Sequence, residues 1–577
     1  NTTGTRNIAI GAEALDASVG INDNVAIGYQ AQTSNTGNGA TANTGASNIA
    51  IGSYALKSLN STSSGDSIQN VAIGVEAMES STSAYRNVAI GFRAFESNQT
   101  QNNTVAVGWY ALRESVSGGS NTALGHYTLT RTTTGASNTA VGNATLQYNT
   151  TGSYNTGVGH RALDQATTAD GNTAVGYQAL YLNTTGASNT AIGVGALDAN
   201  TTTNNNTAVG YGALGENTAD NNTALGNSAL GANTTGTVNA AVGFYALGAN
   251  TTGTYNTAMG AYALDANTTA NSNTAFGYGS LSACTTGGDN NALGFHAAVN
   301  ITTGSDNVAI GNNALYSATT TTRNVAIGKN ALYACTSTQN VAIGYAALDA
   351  VTTGSENVAI GDDAGTSSTG SHNTFLGHSA GGAATTGSDN VFIGSMAGDH
   401  DTATTDGDRA TIVGSRANAS TSGSSQESVF GFNITGKGTQ TFMVGGTNGA
   451  YNAGNDTNWT TTSDIRIKKN ITDNATGLDK INQLQVRNFE YKTEDEIKND
   501  SPELTDVVQS AVVHKEGVQV GSIAQEIEKV LPEVVRTDEH GVKSVNESPL
   551  TWYMINAIKE LSAKNEALEA RIKTLEG

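Results

Sequence analysis

The strongest constraint on this chain is a five-residue phrase that returns about every 17 residues: Asn, then Thr or Val, then Ala, then a large aliphatic, then Gly. It reads NIAIG at Asn7, NVAIG at Asn24, NTAVG at Asn138, NTAIG at Asn189, NVAIG at Asn307 and NVFIG at Asn390. There are about 23 copies, with wider gaps only near Asn24 and Asn48. Two variable residues and then Ala-Leu follow each copy, as at Ala196-Leu197 and Ala314-Leu315, and a polar turn such as ANTTG closes the period. Such a period is too short for a helix pair but holds two strands of about five residues and two turns. Each copy is therefore expected to be one coil of a β-solenoid. Coils stacked at roughly 4.8 Å give a rod on the order of 110 Å long.

Alternation along the strand divides its residues between two faces. Thr or Val and the following aliphatic share one face, expected to be the packed interior. Ala and Gly share the other, where their small size suits close approach by a second chain. The lead Asn predicts a stacked amide ladder that satisfies turn carbonyls. The eleventh residue after it is usually Asn too, as at Asn200, Asn233, Asn250 and Asn267, and becomes Cys284, Ala318, Cys335 and Val351 in later coils. A column that accepts Cys and Val faces inward. Cys284 and Cys335 then lie three coils apart, roughly 14 Å, too far for a disulfide within one chain, and read as buried structural thiols. The variable pair after Gly often carries an aromatic, including Trp109, Tyr110, Tyr177, Tyr211, Tyr245 and Tyr262. This stripe is read as cover for neighbouring coils, with sugar binding as the alternative.

Composition divides the chain at one place. Of the 27 Lys and Arg, about 12 precede Ser463 and about 15 follow it, and Pro502, Pro532 and Pro549 all follow it. A net charge of −21 argues against nucleic acid as a partner. No run of about 18 apolar residues occurs, so no membrane-inserted helix is expected. The chain opens on Asn1 inside a repeat, and an upstream attachment segment is expected. The expected domains are a repeat shaft over 1–398, a distal β region over 399–462 as the receptor-contacting tip, and an assembly domain over 463–577 with a coiled coil over 552–577.

The Asn-x-Ala-Ile-Gly coils resemble head repeats of trimeric autotransporter adhesins, and the NTAVGYQAL…NTTG form resembles phage and bacterial tail-fibre proteins. This resemblance runs from Asn7 to Gly398 and implies a left-handed or interwoven trimeric β-helix. In the distal region Phe430, Phe432, Phe442 and Met443 predict short strands around a thicker core. Asp399, Asp401, Asp406 and Asp408 surround Gly407 without the spacing of an EF-hand loop and read as a solvated acidic turn. His372, His378 and His400 lack metal-ligand spacing. No metal or cofactor is expected.

SDIRIKKNI at Ser463, then GSIAQEIEKVLPE at Gly521 and a terminal amphipathic helix, resemble the C-terminal intramolecular chaperone domain of phage endosialidases and tail spikes. The resemblance implies that the domain trimerises the preceding β-helix and then cuts itself off between Thr462 and Ser463. Ser463 would be the nucleophile and Lys468 its base, with Asp464 and Arg466 at the motif's other polar positions; Ile467 stands where the family usually has Leu. A hydroxyl needs such a base, and a lysine serves only with its pKa lowered by burial or by cations such as Arg466 and Lys469. In a regular strand Ser463 and Lys468 point to opposite faces, so a turn, a bulge or a neighbouring subunit must unite them. The alternative is an uncleaved trimerisation module. Gln525 and Glu526 fit either the cleavage site or helix packing. In the 521–533 segment Ile523, Ile527, Val530 and Leu531 form an apolar side, and Pro532 stops the helix. In the last helix Met554, Leu561, Leu568 and Leu575 recur every seven residues, as do Ile558, Asn565 and Ile572, the d and a positions of a trimeric coiled coil.

The reading that joins these signals is a homotrimeric tail-fibre-like adhesin shaft on a virion or extracellular appendage. Its expected partners are an upstream attachment protein or baseplate and a cell-surface receptor, with a glycan as the expected kind. A bacterial surface adhesin or structural filament is the first alternative. An enzyme acting on external substrates is the second, disfavoured because the rod's sequence offers no clustered carboxylates in a pocket.

Overall fold

A computed structural model describes residues 4–17, 20–33, 47–59, 68–399, 406–421, 423–445, 450–453, 469–474, 476–500, 517–537 and 541–577. The chain divides into two compact units, Asn1–Thr461 and Thr462–Gly577.

The first unit is a β-solenoid whose strands form one 27-stranded sheet. Each coil contributes a three-residue strand on the repeat phrase, and strands of successive coils pair parallel and in register, as Thr190↔Thr207, Ala191↔Ala208 and Ile192↔Val209. Among the described residues only the last pairing differs: Ala450–Ala453 runs antiparallel to Thr441–Val444.

A second strand per coil was expected and is not formed. The variable pair and Ala-Leu make a turn in which two residues are left-handed, as Gln178 (φ 56°) and Leu180 (φ 52°), and a third precedes the next lead Asn, as Ser188 (φ 60°). These conformations cost bulky residues roughly 1 kcal/mol each. Hydrogen bonds to neighbouring coils offset them: Leu197 N–H donates to Ala213 O (3.1 Å) and Ser188 N–H to Asp170 O (3.0 Å).

The facing of the strand is the reverse of that expected. The middle Ala of the phrase is fully buried within its own chain, from Ala26 through Ala191 to Ala359, while Thr or Val and the aliphatic face outward. The lumen of so short a coil is narrow, and the Ala-Leu of the turn already fills it with Ala196 and Leu197 and their equivalents. Only a methyl fits opposite. Larger side chains go outward, and exposed Ile90, Leu124, Ile192, Leu225, Phe276, Leu293 and Ile310 form an apolar row along the unit.

The glycine after the aliphatic serves stacking of coils in one chain rather than approach of a second chain. Gly193 has φ 139°, and a Cβ there would lie 2.3 Å from Gly210 O of the next coil. The lead Asn column is buried and forms the expected ladder: Asn138 N–H donates to Asn121 Oδ1 (2.9 Å), and Asn138 Nδ2 donates to Gly152 O (2.9 Å). The eleventh-position column is also buried, with Asn250 Nδ2 donating to Asn233 Oδ1 (2.7 Å) and Asn267 Nδ2 to Asn250 Oδ1 (2.7 Å). Cys284 and Cys335 are buried free thiols.

From Phe375 onward the lumen is filled differently. Phe375, Phe392, Ile412, Val429 and Met443 replace the buried strand Ala; the turn Leu becomes Gly381 and Gly398 in the coils of Phe375 and Phe392, and is already Gly365 in the coil of Ala359 before them. Of the four residues expected to thicken the distal core, only Met443 is in it. Phe430 and Phe442 pack ring to ring (5.3 Å between centroids), with Phe442 largely outside, and Phe432 is exposed.

The second unit has few buried residues. Strands Arg487–Phe489 and Gln519–Gly521 pair antiparallel, as do Val535–Thr537 and Lys543–Val545. A helix spans Ala524–Glu528, and a 3-10 turn Pro532–Val534 follows, with Pro532 at its start. Ile527, Leu531 and Val534 are the buried centre, flanked by Leu484, Val530, Val545, Leu550 and Tyr553. The terminal helix, Glu547–Glu576, begins with Asn546 Oδ1 accepting from Ser548 N–H. No helix among the described residues is long and apolar enough to cross a membrane.

Candidate functional site

The proposed cleavage segment, with Thr462, Ser463, Asp464, Arg466 and Lys468, lies outside the described residues. What surrounds the rest of the matching motif is described. Gln525 is exposed on the short helix. Glu526 takes a bidentate contact from Arg487 (3.1 and 2.8 Å), which ties this helix to the strand at 487–489 and holds the Glu526 carboxyl below its ordinary pKa. Lys480 Nζ donates to Val530 O (2.9 Å), closing the end of the same segment.

The terminal helix is held at its first half. Tyr553 Oη donates to the Glu533 carboxylate, Asn556 Nδ2 to Asn474 O (2.6 Å), and Leu478 N–H to Glu560 Oε2 (3.3 Å). At Gly477 a Cβ would lie 2.4 Å from Ala557 N, so glycine is what lets that segment meet the helix. The heptad residues point elsewhere: Met554, Ile558, Leu561, Asn565, Leu568, Ile572 and Leu575 are all exposed in the single chain.

On the shaft, stacking unites side chains far apart in sequence. Asp362, Asp363 and His378 bring ligand atoms within 4.8 Å of one another, a grouping that linear spacing hides. His372 lies 3.4 Å from Glu356 and 3.6 Å from Asp389. Asp401 and His400 of the acidic turn lie outside the described residues, and Asp408 Oδ1 accepts from Ser388 N–H (2.7 Å) as a link between coils. Most aromatics of the stripe lie against rings of adjacent coils, as Tyr29 with Tyr54 (5.4 Å) and Tyr278 with Phe295 (5.6 Å).

Carboxylates do meet in a cavity, contrary to the expectation from sequence. A hollow of about 650 Å³ runs along the shaft from Tyr177 to Tyr245, and Asp198 and Glu216 both line it. Burial pushes the Asp198 carboxyl above its ordinary pKa, and the charge of Glu216 adds to the effect. The hollow exists because side chains are missing from two adjacent columns. The residue after the turn Leu bears a side chain at every coil from Lys57 to Thr366 except Gly215, Gly231 and Gly248, and nearby Gly195 and Gly212 empty the second variable column. Three glycines in one column of successive repeats were the available signal.

The architecture is thus a β-solenoid shaft followed by a small α+β unit that ends in a long helix with an uncovered heptad seam. Residues 463–536 match the family model described as the chaperone of endosialidase. The chain therefore carries a chaperone-of-endosialidase domain behind its β-solenoid shaft. Searches of curated proteins and of solved structures find no match.

Proposed function

We propose that the protein is a homotrimeric, tail-fibre-like shaft for cell-surface recognition, assembled by its chaperone domain, which then cleaves itself off between Thr462 and Ser463. The observation that carries this reading is the family match, which begins at Ser463 directly behind a solenoid unit that ends at Thr461. The Ser463 hydroxyl attacks the Thr462 carbonyl as Lys468 takes its proton. The Thr462–Ser463 C–N bond then breaks, its nitrogen receiving that proton to become the Ser463 α-amine. Water hydrolyses the ester so formed, leaving a carboxylate on Thr462 and restoring the Ser463 hydroxyl. Asp464 and Arg466 support the segment. The shaft serves on a virion or other extracellular appendage, joined to an attachment protein or baseplate, with residues 399–462 contacting the receptor.

Two uncovered apolar surfaces support a trimer. One is the outward strand row from Ile90 to Ile310, and the other is the Met554–Leu575 seam. Alanine, buried within each coil, plays no part between chains. A 30-residue helix with its heptad positions in water gains stability chiefly by packing on like helices.

Intact-mass measurement of wild type beside Ser463→Ala tests the cleavage. Wild type is expected to separate into residues 1–462 and 463–577 while the variant stays whole. Equal full-length masses for both would refute self-cleavage. Native mass of the released shaft tests the trimer, and a monomer would refute it.

A further inference from the structure

We propose that the hollow between Tyr177 and Tyr245 is a binding groove for a neutral, linear oligosaccharide, a site on the side of the shaft separate from the tip at 399–462. It rests on the reading of the chain as a recognition fibre and gives that reading a ligand class and a place.

The groove is built by omission. Elsewhere the column after the turn Leu carries Lys57, Arg113, Asp164, Tyr181, Asp265, Tyr316 or Tyr333, while Gly215, Gly231 and Gly248 occupy three coils in a row. Backbone geometry does not demand these first two glycines. Neither has positive φ, and a Cβ at Gly215 would find only ordinary contacts, the nearest at 3.4 Å; at Gly231 the nearest is 3.2 Å. Gly248 has a different role: the Tyr245 ring lies over it, where a Cβ would come within 2.4 Å, so this glycine lets Tyr245 fold down as an end wall. The other end wall, Tyr177, stacks on His160 (5.5 Å, 26°).

Between the walls stands Tyr211. Its coil neighbours in the same column are Val194 and Asn227, so it has no ring partner among the described residues, and it is 63% exposed. A free aromatic face with negative potential attracts the electropositive C–H face of a pyranose. Asp198 and Glu216 beside it offer carboxylate oxygens to sugar hydroxyls, and hydrogen bonds to a charged acceptor are the stronger kind. The groove crosses five coils, about 19 Å, and its volume accommodates about three pyranose rings.

Charge selects among saccharides. No lining residue is basic, and no Lys or Arg occurs between Arg161 and Arg323. A sialylated, sulfated or phosphorylated glycan would meet only like charge there. A neutral one meets acceptors and an aromatic platform.

The full chain should be assayed on an array of neutral oligosaccharides of glucose, galactose, mannose and N-acetylhexosamines, with sialylated and sulfated counterparts and a polyamine. Wild type is expected to bind neutral chains and neither acidic chains nor the amine. Gly215→Tyr and Gly231→Tyr, which install a residue the same column carries at Tyr181 and Tyr316, are expected to weaken binding at least tenfold. Tyr211→Ala should do likewise, while Asp349→Tyr, in the same column outside the groove, leaves binding unchanged. Equal melting temperatures for wild type and variants confirm that folding is intact. Binding that survives both groove-filling substitutions overturns the groove but leaves a recognition fibre standing. Binding of acidic chains or polyamine alone overturns the ligand class. Binding to no glycan, in protein that also fails to adhere to any cell, refutes the recognition reading itself.

Discussion

At the scale of single residues, the shaft is held by amide columns that work only while they are continuous. The eleventh-position ladder breaks where Asn gives way to another residue, and at two of these breaks a buried oxygen is left without a partner. Asn149 Oδ1 is such an orphan because the next coil offers Ala166, and Asn267 Oδ1 is another because the next offers Cys284. Ala166→Asn would place an amide between Asn149 and Asn183, donating to the first and accepting from the second, with Ala169 O in reach as Gly152 O is for Asn149 (3.0 Å). The expected gain is about 1 kcal/mol, read as an increase in the midpoint of denaturant unfolding. Gly193→Ala should do the opposite, losing about 3 kcal/mol through a Cβ forced against Gly210 O at positive φ. Burial raises the Cys284 pKa to about 11, from 9.0 when free. Below pH 9 both folded and unfolded chains keep the proton; between 9 and about 11 only the unfolded chain releases it, so this thiol withdraws stability as pH rises through that window. At pH 8 Cys284 should resist alkylation in the native protein and react fully in denaturant, as mass spectrometry of the two samples would show.

At the scale of elements, one coil type is exchanged for another near Phe375, and the exchange is a matched swap of volume. In coils such as 341–348 the lumen takes Ala342 from the strand and Leu348 from the turn; in later coils it takes Phe375 or Phe392 from the strand and glycine from the turn. A Cβ on Gly365 would lie 2.5 Å from the Phe375 ring. Phe375→Ala alone should therefore cost about 3–5 kcal/mol by leaving a cavity, and Gly365→Leu alone should be comparably damaging through overlap. In the double variant the leucine added in the preceding coil enters part of the space the Phe375 ring vacates, while Gly381 of the Phe375 coil stays unfilled. Its loss should therefore be smaller than the sum of the two single losses, a coupling that a double-mutant cycle of unfolding free energies measures directly. This swap also marks how far the sequence could be read. The period, the parallel stacking, the Asn columns and the buried cysteines were legible because each repeats in register. Facing was not, because alternation shows which residues share a side and not how wide the lumen is. The left-handed Leu180 and its equivalents were hidden for a related reason: that conformation is ordinarily read from Gly or Asn, and here hydrogen bonds between coils impose it on Leu. The groove was hidden because Asp198 and Glu216 are 18 positions apart along the chain and neighbours only once coils stack.

At the scale of the whole molecule, the proposed self-cleavage raises the question of what a shaft would gain from a domain it removes. Contacts along a solenoid join residues about one period apart, but contacts between chains have no sequence proximity to assist them, and their nucleation is entropically slow. On the proposed reading, the seam from Met554 to Leu575 brings three chain ends together, and the outward row that includes Leu225 and Ile310 then zips along the length. Once zipped, the interface is continuous over many coils and no longer depends on its starter. The two stages should separate experimentally. Leu561→Ala with Leu568→Ala, introduced before folding, should prevent assembly and give monomeric or aggregated chains by native mass. Removing residues 463–577 after assembly should leave the trimer's mass and melting temperature unchanged. The same shaft, unfolded in denaturant and returned to buffer without residues 463–577, should fail to recover its trimeric mass. Recovery at a rate equal to that of the full chain would mean that the helix seam contributes nothing to nucleation, and the terminal helix would then need another explanation.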